Sequence, residues 1–281
     1  MLLELAVGDA YGAGFEYNKT PGIQNQNTLK KYIKHAGHKD LKPGMYTDDT
    51  QMSIAIAEVI VSGKPWIPEV LAKSFVDCFK RDIRAGYAHG FYQLLTEVKD
   101  GQELLAKCRG DSDKSGAAMR APPIGIFSSI DEVIEKATIQ ARITHNTPDG
   151  INAAAASALT THYFIYDKGS KNDLAAFIEK YVPGKWSTPW TGEVGSKGWQ
   201  SVRAAITAVM KNHTLSRLLK ECIAFEGDVD TVAAIAMAAA SCSKEYEKDI
   251  PERLYTGLEN GKYGLDFLKE LDARLMNLKK K

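Results

Sequence analysis

Residues 231–242 read TVAAIAMAAASC. The stretch carries no charge, and its only hydroxyls sit near its ends, on Thr231 and Ser241. Alanine is the strongest helix former, and a helix without a polar face must be covered on every side. The stretch therefore predicts a central, buried helix. Outward from it, apolar side chains recur at helical spacing. Residues 199–211 place Val202, Ala205, Ile206, Val209 and Met210 together, and residues 265–278 set Leu265, Leu268, Leu271, Leu275 and Leu278 on one stripe before a lysine tail. Residues 151–166 are alanine-rich and turn aromatic at Tyr163, Phe164 and Tyr166. Residues 131–143, 69–83 and 51–62 repeat the pattern, the last closed by Gly63 and Pro65. Period-2 alternation is absent. The expected fold class is all-α: a single compact domain over residues 1–281, of about ten helices whose small side chains let backbones approach closely.

Two long segments interrupt the helices. Residues 18–47 contain Pro21, Gly22, Gly37, Pro43 and Gly44 with lysines and histidines scattered among them, and residues 182–198 read VPGKWSTPWTGEVGSKG. Loops of that length in a compact domain are more often functional than not. The lysines of 18–47 read as a solvated surface, with a lid over an anionic ligand as the functional alternative. Trp186 and Trp190 suit either a packed loop or stacking on a ligand.

The 281 residues carry 36 Lys and Arg against 35 Asp and Glu, with 44% hydrophobic residues. These values describe an ordinary globular chain and speak against a disordered acidic tail or a generally basic nucleic-acid binder. Cys78, Cys108, Cys222 and Cys242 form no CxxC pair, which argues against a zinc or redox motif. They read as reduced thiols, so a cytoplasmic, monomeric protein is expected. The N-terminus lacks the basic flank of a signal peptide, and no run reaches the roughly 18 apolar residues of a membrane span.

Side-chain oxygens gather at three helix starts: Gly8-Asp9 with Glu16, Thr47-Asp48-Asp49-Thr50, and Gly227-Asp228-Val229-Asp230-Thr231. Capping explains part of this. Asp48 with Gln51 three residues on would make a capping box, and Asp228 would cap the buried helix. One cap needs one carboxylate, however, and each of the last two clusters has two. Near the interior they would repel each other and lose hydration unless a cation neutralised them. Asp and Thr oxygens without Cys or His suit Mg²⁺, Mn²⁺ or Ca²⁺. Four carboxylates and two hydroxyls are enough for two ions. His35 and His38 read as solvated, and His162 and His213 as structural. His145, in THNTPDG, is either a turn residue or a donor to an anionic substrate group.

The order GDxxGxxxE, YTDDTQM, GAAMRxxPxG, THxxxxGINAA, GDxDTxAAIA, running from Gly8 to about Ala240, resembles the ADP-ribosylglycohydrolases. The resemblance implies an orthogonal helical bundle with two Mg²⁺ or Mn²⁺ ions in a central cleft. It implies that Thr47, Asp48 and Asp49 ligate from one side and Asp228, Asp230 and Thr231 from the other, with Asp230 bridging. Glu16, Asp48 and Asp49 would be catalytic. Asp9 would stand behind the metals or touch substrate. Ser115, Gly116, Ala117, Met119 and Arg120 would wrap the ADP-ribose, and His145 would face it. Lys114-Ser115-Gly116 stands where the family usually has Gly-Asn-Gly, and Val229 interrupts the last motif.

The function implied is hydrolysis of the C1″ bond of ADP-ribose on an acceptor, with protein as the expected partner and ADP-ribose as product. Activation of the water is open between the metal and a carboxylate such as Glu16 or Asp49, as is the acceptor: arginine, serine, a nucleobase or a metabolite. A non-catalytic ADP-ribose-binding module or toxin antagonist is the alternative from another class. A haloacid-dehalogenase-type phosphohydrolase would read Asp228-Val229-Asp230-Thr231 as its motif but needs a preceding strand. A helical isoprenoid synthase would need a DDxxD pair.

Overall fold

In the computed structural model, which describes residues 1–279, the alanine-rich stretch is the helix expected of it. The end of the lysine tail, Lys280 and Lys281, lies outside the described residues. In chain order the helices are α1 (Leu2–Ala13), α2 (Asp48–Ser62), α3 (Pro68–Arg81), α4 (His89–Glu97), α5 (Gly101–Lys107), α6 (Gly116–Met119), α7 (Ile130–Arg142), α8 (Pro148–Ile165), α9 (Leu174–Tyr181), α10 (Gly198–Lys211), α11 (Leu215–Ala224), α12 (Val229–Cys242), α13 (Glu252–Thr256) and α14 (Leu265–Met276). The described residues contain no strand, only isolated bridges. All seven periodic stretches are helices, each displaced by no more than a turn. Fourteen helices replace the expected ten. The additional ones are mostly short, apart from α1, which carries Gly8 and Asp9 in its second half rather than at a helix start as expected.

Helix α12 is buried from Val229 to Ala240 and packs against α1, α8, α10 and α11. Its tightest neighbour is α1. A Cβ on Gly8 would stand 2.6 Å from the Ala233 carbonyl oxygen, and one on Gly12 would stand 2.4 Å from the Asp230 Cα. The two glycines thus let the backbones nearly touch. Leu2, Leu5, Ala6 and Val7 are fully buried on the same helix, and covering each larger side chain contributes about 1.5–3 kcal/mol. Helix α2 packs on α1, α3 and α14. The C-terminal half of α1 and the N-termini of α2 and α12 therefore meet, which brings the three acidic motifs to one place.

The long segments are packed rather than loose. Within 18–47, Leu29, Tyr32 and Leu41 are buried, and the Tyr32 hydroxyl donates to the Leu254 carbonyl at 2.5 Å. Its only regular element is a 3-10 turn, Ile23–Gln26. Lys30, Lys31, Lys34, Lys39 and Lys42 are exposed, as the surface reading expects. Trp186 is buried with its ring N–H on the Val182 carbonyl, and Trp190 lies against Trp199 and Arg203, so both pack the loop. The four cysteines are unpaired. No helix of the described residues is long and apolar enough to cross a membrane.

Candidate active site

The capping readings fail in an informative way. Thr47, not Asp48, is the N-cap of α2, and its Oγ1 accepts from the Asp49 N–H at 3.4 Å. Gln51 forms no capping box. Its side chain donates to the carbonyls of Cys78 and Asp82 and accepts from the Tyr87 hydroxyl at 2.6 Å. Asp228 does occupy the N-cap position of α12, but its carboxylate makes no cap bond. The carboxylates of Asp48, Asp49, Asp228 and Asp230 are thus free of the role that a bland reading gives them.

Asp9 holds the α2 motif in place from behind. Its oxygens accept from the N–H groups of Thr47 and Thr50, both at 3.0 Å, and from their hydroxyls at 2.8 and 2.5 Å. They are filled, and Asp9 does not line the cavity. The expectation of a substrate contact is corrected to that of a support. Because Thr47 gives its one hydroxyl proton to Asp9, its remaining lone-pair capacity is left for another partner. The flanking Tyr46 is fixed by Arg84, which donates to its carbonyl at 3.1 Å and lies 3.6 Å over its ring. Gly86, at φ +109, covers Asp48 so closely that a Cβ there would stand 2.2 Å from Oδ1.

On the α12 side, Glu226 and Gly227 both adopt left-handed backbone, with φ of 63 and 84, and this sharp turn delivers Asp228 inward. The turn is stitched to the 182–198 loop by Val194 N–H to Glu226 O at 3.0 Å and Asp228 N–H to Val194 O at 2.9 Å. The same loop reaches the substrate-side motif through Ser115 N–H to Ser196 O at 3.0 Å and Gly198 N–H to Asp113 O at 3.0 Å. One segment therefore sets the distance between the two. Ser201 donates to Asp228 Oδ2 at 3.2 Å.

Glu16, Asp228 and Asp230 each offer an oxygen within 4.8 Å of the others, a group able to hold a metal ion. Asp49 Oδ1 and Asp230 Oδ1 are buried without a hydrogen-bond partner, which is costly for a carboxylate in a low dielectric. Burial first, and then neighbouring carboxylates, hold Asp48, Asp49 and Asp230 well above the ordinary range. Burial raises Asp228 to about 6, partly offset by the hydroxyls of Thr231 and Ser115. Orphaned hard oxygens in a cluster that resists ionisation fit a divalent cation.

The cluster forms one end of a cavity of about 680 Å³. Glu16, Asp48, Asp49, Asp228, Asp230 and Thr231 all line it, as do Ser115, Gly116, Met119, Arg120 and His145. Ala117 is buried outside the lining and offers its carbonyl to Gln140. Arg120 also departs from expectation. Its guanidinium is buried and turned inward onto Gln140 Oε1 at 2.6 Å, Thr144 Oγ1 at 2.8 Å and the Phe75 ring at 4.4 Å. Burial lowers it to about 10. Thr144 stands 2.7 Å from His145 Nδ1, and burial, with Arg120 nearby, lowers His145 to about 3. His145 is therefore a neutral ring in the cavity wall.

Several lining residues escaped the sequence. Tyr17, at φ 43, stands at the mouth beside Glu16 and donates its N–H to Gly227 O at 3.0 Å. Phe91, Leu94 and Cys108 add apolar lining, and Lys107 and Arg109 add basic side chains. None belongs to a recognisable motif. His162 and His213 lie outside the lining, as expected. His38 is exposed, but His35 is not solvated as expected: its side chain is 8% exposed and rests on Glu16.

The class so defined is a helical domain with a large cavity lined by a buried carboxylate cluster. A family model described as ADP-ribosylglycohydrolase matches residues 1–281, and the chain belongs to that family. It is similar to the ADP-ribosyl-[dinitrogen reductase] glycohydrolase of Rhodospirillum rubrum, at 25% identity over 97% of this chain and 93% of the relative. It is likewise similar to the ADP-ribosylhydrolase ARH3 of Xenopus tropicalis, at 25% identity over 89% and 87%. A solved structure titled ADP-ribosylglycohydrolase-related protein complex shares the fold, with a TM-score of 0.72 at 21% identity over 99% of this chain and 94% of that one. The phosphohydrolase and isoprenoid synthase alternatives are set aside on these findings.

Proposed function

We propose that the chain hydrolyses the C1″ glycosidic bond of ADP-ribose attached to an acceptor, releasing ADP-ribose. The observation that carries this is the convergence of three acidic motifs, with two orphaned buried oxygens, at one end of a cavity in a chain of this family. Thr47, Asp48 and Asp49 would hold Mg²⁺ or Mn²⁺ from the α2 side, and Asp228, Asp230 and Thr231 from the α12 side. When bound, the cations supply positive charge that neutralises the cluster and grips the vicinal hydroxyls of the distal ribose.

The remaining chemistry belongs to the chain. The distal ribose lies at the acidic end, where carboxylates stabilise an oxocarbenium-like transition state. Both Glu16 and Asp49 line the cavity, but Glu16 is half-buried and reaches both water and the cluster, whereas Asp49 is only 3% exposed. We therefore assign to Glu16 the proton of the water that adds at C1″. The bond from C1″ to the acceptor breaks, and the proton taken up by Glu16 passes to the leaving acceptor. Ser115, Gly116 and His145 line the path of the pyrophosphate, His145 as a neutral donor. The apolar wall of Phe91 and Leu94 takes the adenine end. Protein is the proposed acceptor, matching the dinitrogen reductase in the name of the Rhodospirillum rubrum relative.

The test is release of ADP-ribose from a panel of Arg-, Ser-, Glu- and nucleic-acid-linked substrates, with Mg²⁺ and with EDTA. Release with Mg²⁺, its loss in EDTA, and a fall of at least about 100-fold in Asp230→Asn are expected. Full activity in EDTA overturns the assignment. Tight ADP-ribose binding without release would favour a binding module instead.

A further inference from the structure

Glu16 sits among like charges. Repulsion from Asp228 and Asp230 favours swinging its flexible side chain out into water, yet one of its oxygens stays within 4.8 Å of theirs. The group opposing that motion comes from the 18–47 segment. His35 Nε2 lies 3.0 Å from Glu16 Oε2. On the other side of the ring, His35 Nδ1 accepts the N–H groups of Gly37 at 2.8 Å and His38 at 2.9 Å. A ring nitrogen that accepts two backbone N–H bonds carries no proton, so the neutral ring bears its hydrogen on Nε2 and donates it to Glu16. Residues 35–38 thus fix the tautomer, and the tautomer fixes the direction of the bond. The exposed His38 ring leans on His35 at 4.7 Å between centroids and adds packing.

We propose that His35 is a positioning residue, whose Nε2–H holds the Glu16 carboxylate against Asp228 and Asp230. The proposal rests on two readings given above: Glu16 as the base, and Glu16 with Asp228 and Asp230 as a group able to hold a metal ion. It gives the long basic segment a task that does not involve its lysines: residues 18–47 carry a donor into the site. Supports of this kind orient the groups that meet metal or substrate, and losing one typically costs about 10- to 100-fold in metal affinity or activity.

The test uses the full chain freed of metal, with Mn²⁺ titrated by calorimetry. His35→Ala is expected to weaken Mn²⁺ binding about 10- to 100-fold, and His35→Gln, whose amide Nε2 can replace the ring donor, to restore most of it. His38→Ala should bind as wild type. In turnover, His35→Ala should lower kcat while leaving KM for the ADP-ribosylated substrate nearly unchanged, since His35 does not line the cavity. Nitrogen-detected NMR of the ring should show protonation at Nε2. Undiminished Mn²⁺ affinity in His35→Ala, His35→Gln as weak as His35→Ala, or a ring protonated at Nδ1 would overturn the proposal. Should wild type release ADP-ribose from no substrate, the proposed function fails while the Mn²⁺ and NMR results still decide the role of His35.

Discussion

Thr144 has one hydroxyl proton and two close neighbours, and only one of them can take it. Arg120 has no acceptor, so its Nη2 donates to Thr144 Oγ1 at 2.8 Å. The hydroxyl proton then goes to His145 Nδ1 at 2.7 Å, which leaves the ring hydrogen on Nε2. A buried guanidinium thereby sets the tautomer of a cavity-lining histidine through one threonine. With His145 lowered to about 3, its ring is expected to show no titration by NMR from about pH 8 to about pH 5, where an ordinary histidine titrates. Thr144→Val keeps the volume and removes the relay. ADP-ribose affinity should fall about tenfold in that variant, the scale of one hydrogen bond to a charged group, and return in Thr144→Ser. Calorimetry that finds Thr144→Val equal to wild type would show that His145 does not donate to the ligand.

At the scale of elements, the position of the α12 carboxylates depends on how closely α1 approaches. Replacing Gly12 by Ala raises intrinsic helix propensity by about 1 kcal/mol. The added Cβ would nevertheless stand 2.4 Å from Asp230 Cα, and overpacking of that kind costs about 1–3 kcal/mol. Gly12→Ala should therefore lower stability in urea unfolding and weaken Mn²⁺ binding; a net gain in stability would mean that the helices part freely. Neither contact was legible in the sequence, for a general reason. Helix α12 announced itself because twelve residues share one property, and the six other periodic stretches did so because their stripes are local. Helix α1 did not, since its two glycines weaken the helical signal and find their use only where α12 lies against them. Asp48 reads as a cap from spacing alone, whereas Thr47 takes that place because Asp9, some forty residues earlier, binds its N–H and hydroxyl. His35 reads as solvated because its contact depends on the three-dimensional path of the 18–47 segment. Most of the acidic site was visible as motifs, with Asp9 among them as one of two roles expected of it; the support from His35 was not, because it is tertiary.

Across the whole molecule, 36 basic and 35 acidic residues nearly cancel, yet the cluster concentrates negative charge where water is scarce. The consequence is a linkage between protons and cations. Asp228 is raised from 3.8 to about 6, with Asp48, Asp49 and Asp230 shifted in the same direction. In the metal-free fold these groups hold protons that the unfolded chain has already lost. Their contribution to stability is full below about pH 4 and disappears as pH rises through about 6 and above. His145 runs the other way: its depressed value gives stability present above about 6.5 and lost as pH falls. That contribution is common to metal-free and metal-loaded protein, so it cancels in their difference. A divalent cation must displace the cluster's protons, and its affinity should therefore rise with pH as protons are released. The gap in unfolding temperature between Mg²⁺- or Mn²⁺-loaded and EDTA-treated protein is expected to widen from about pH 5 to about pH 8, with about 2.7 kcal/mol gained at a hundredfold excess over Kd. Titration of metal in buffers of different ionisation enthalpy should show net proton release at about pH 6 that shrinks towards about pH 8. A gap that stays constant over this range would mean that the carboxylates are already ionised without metal. The cluster would then be a set of hydrogen-bonded structural acids, and no cation would be needed to hold the three motifs together.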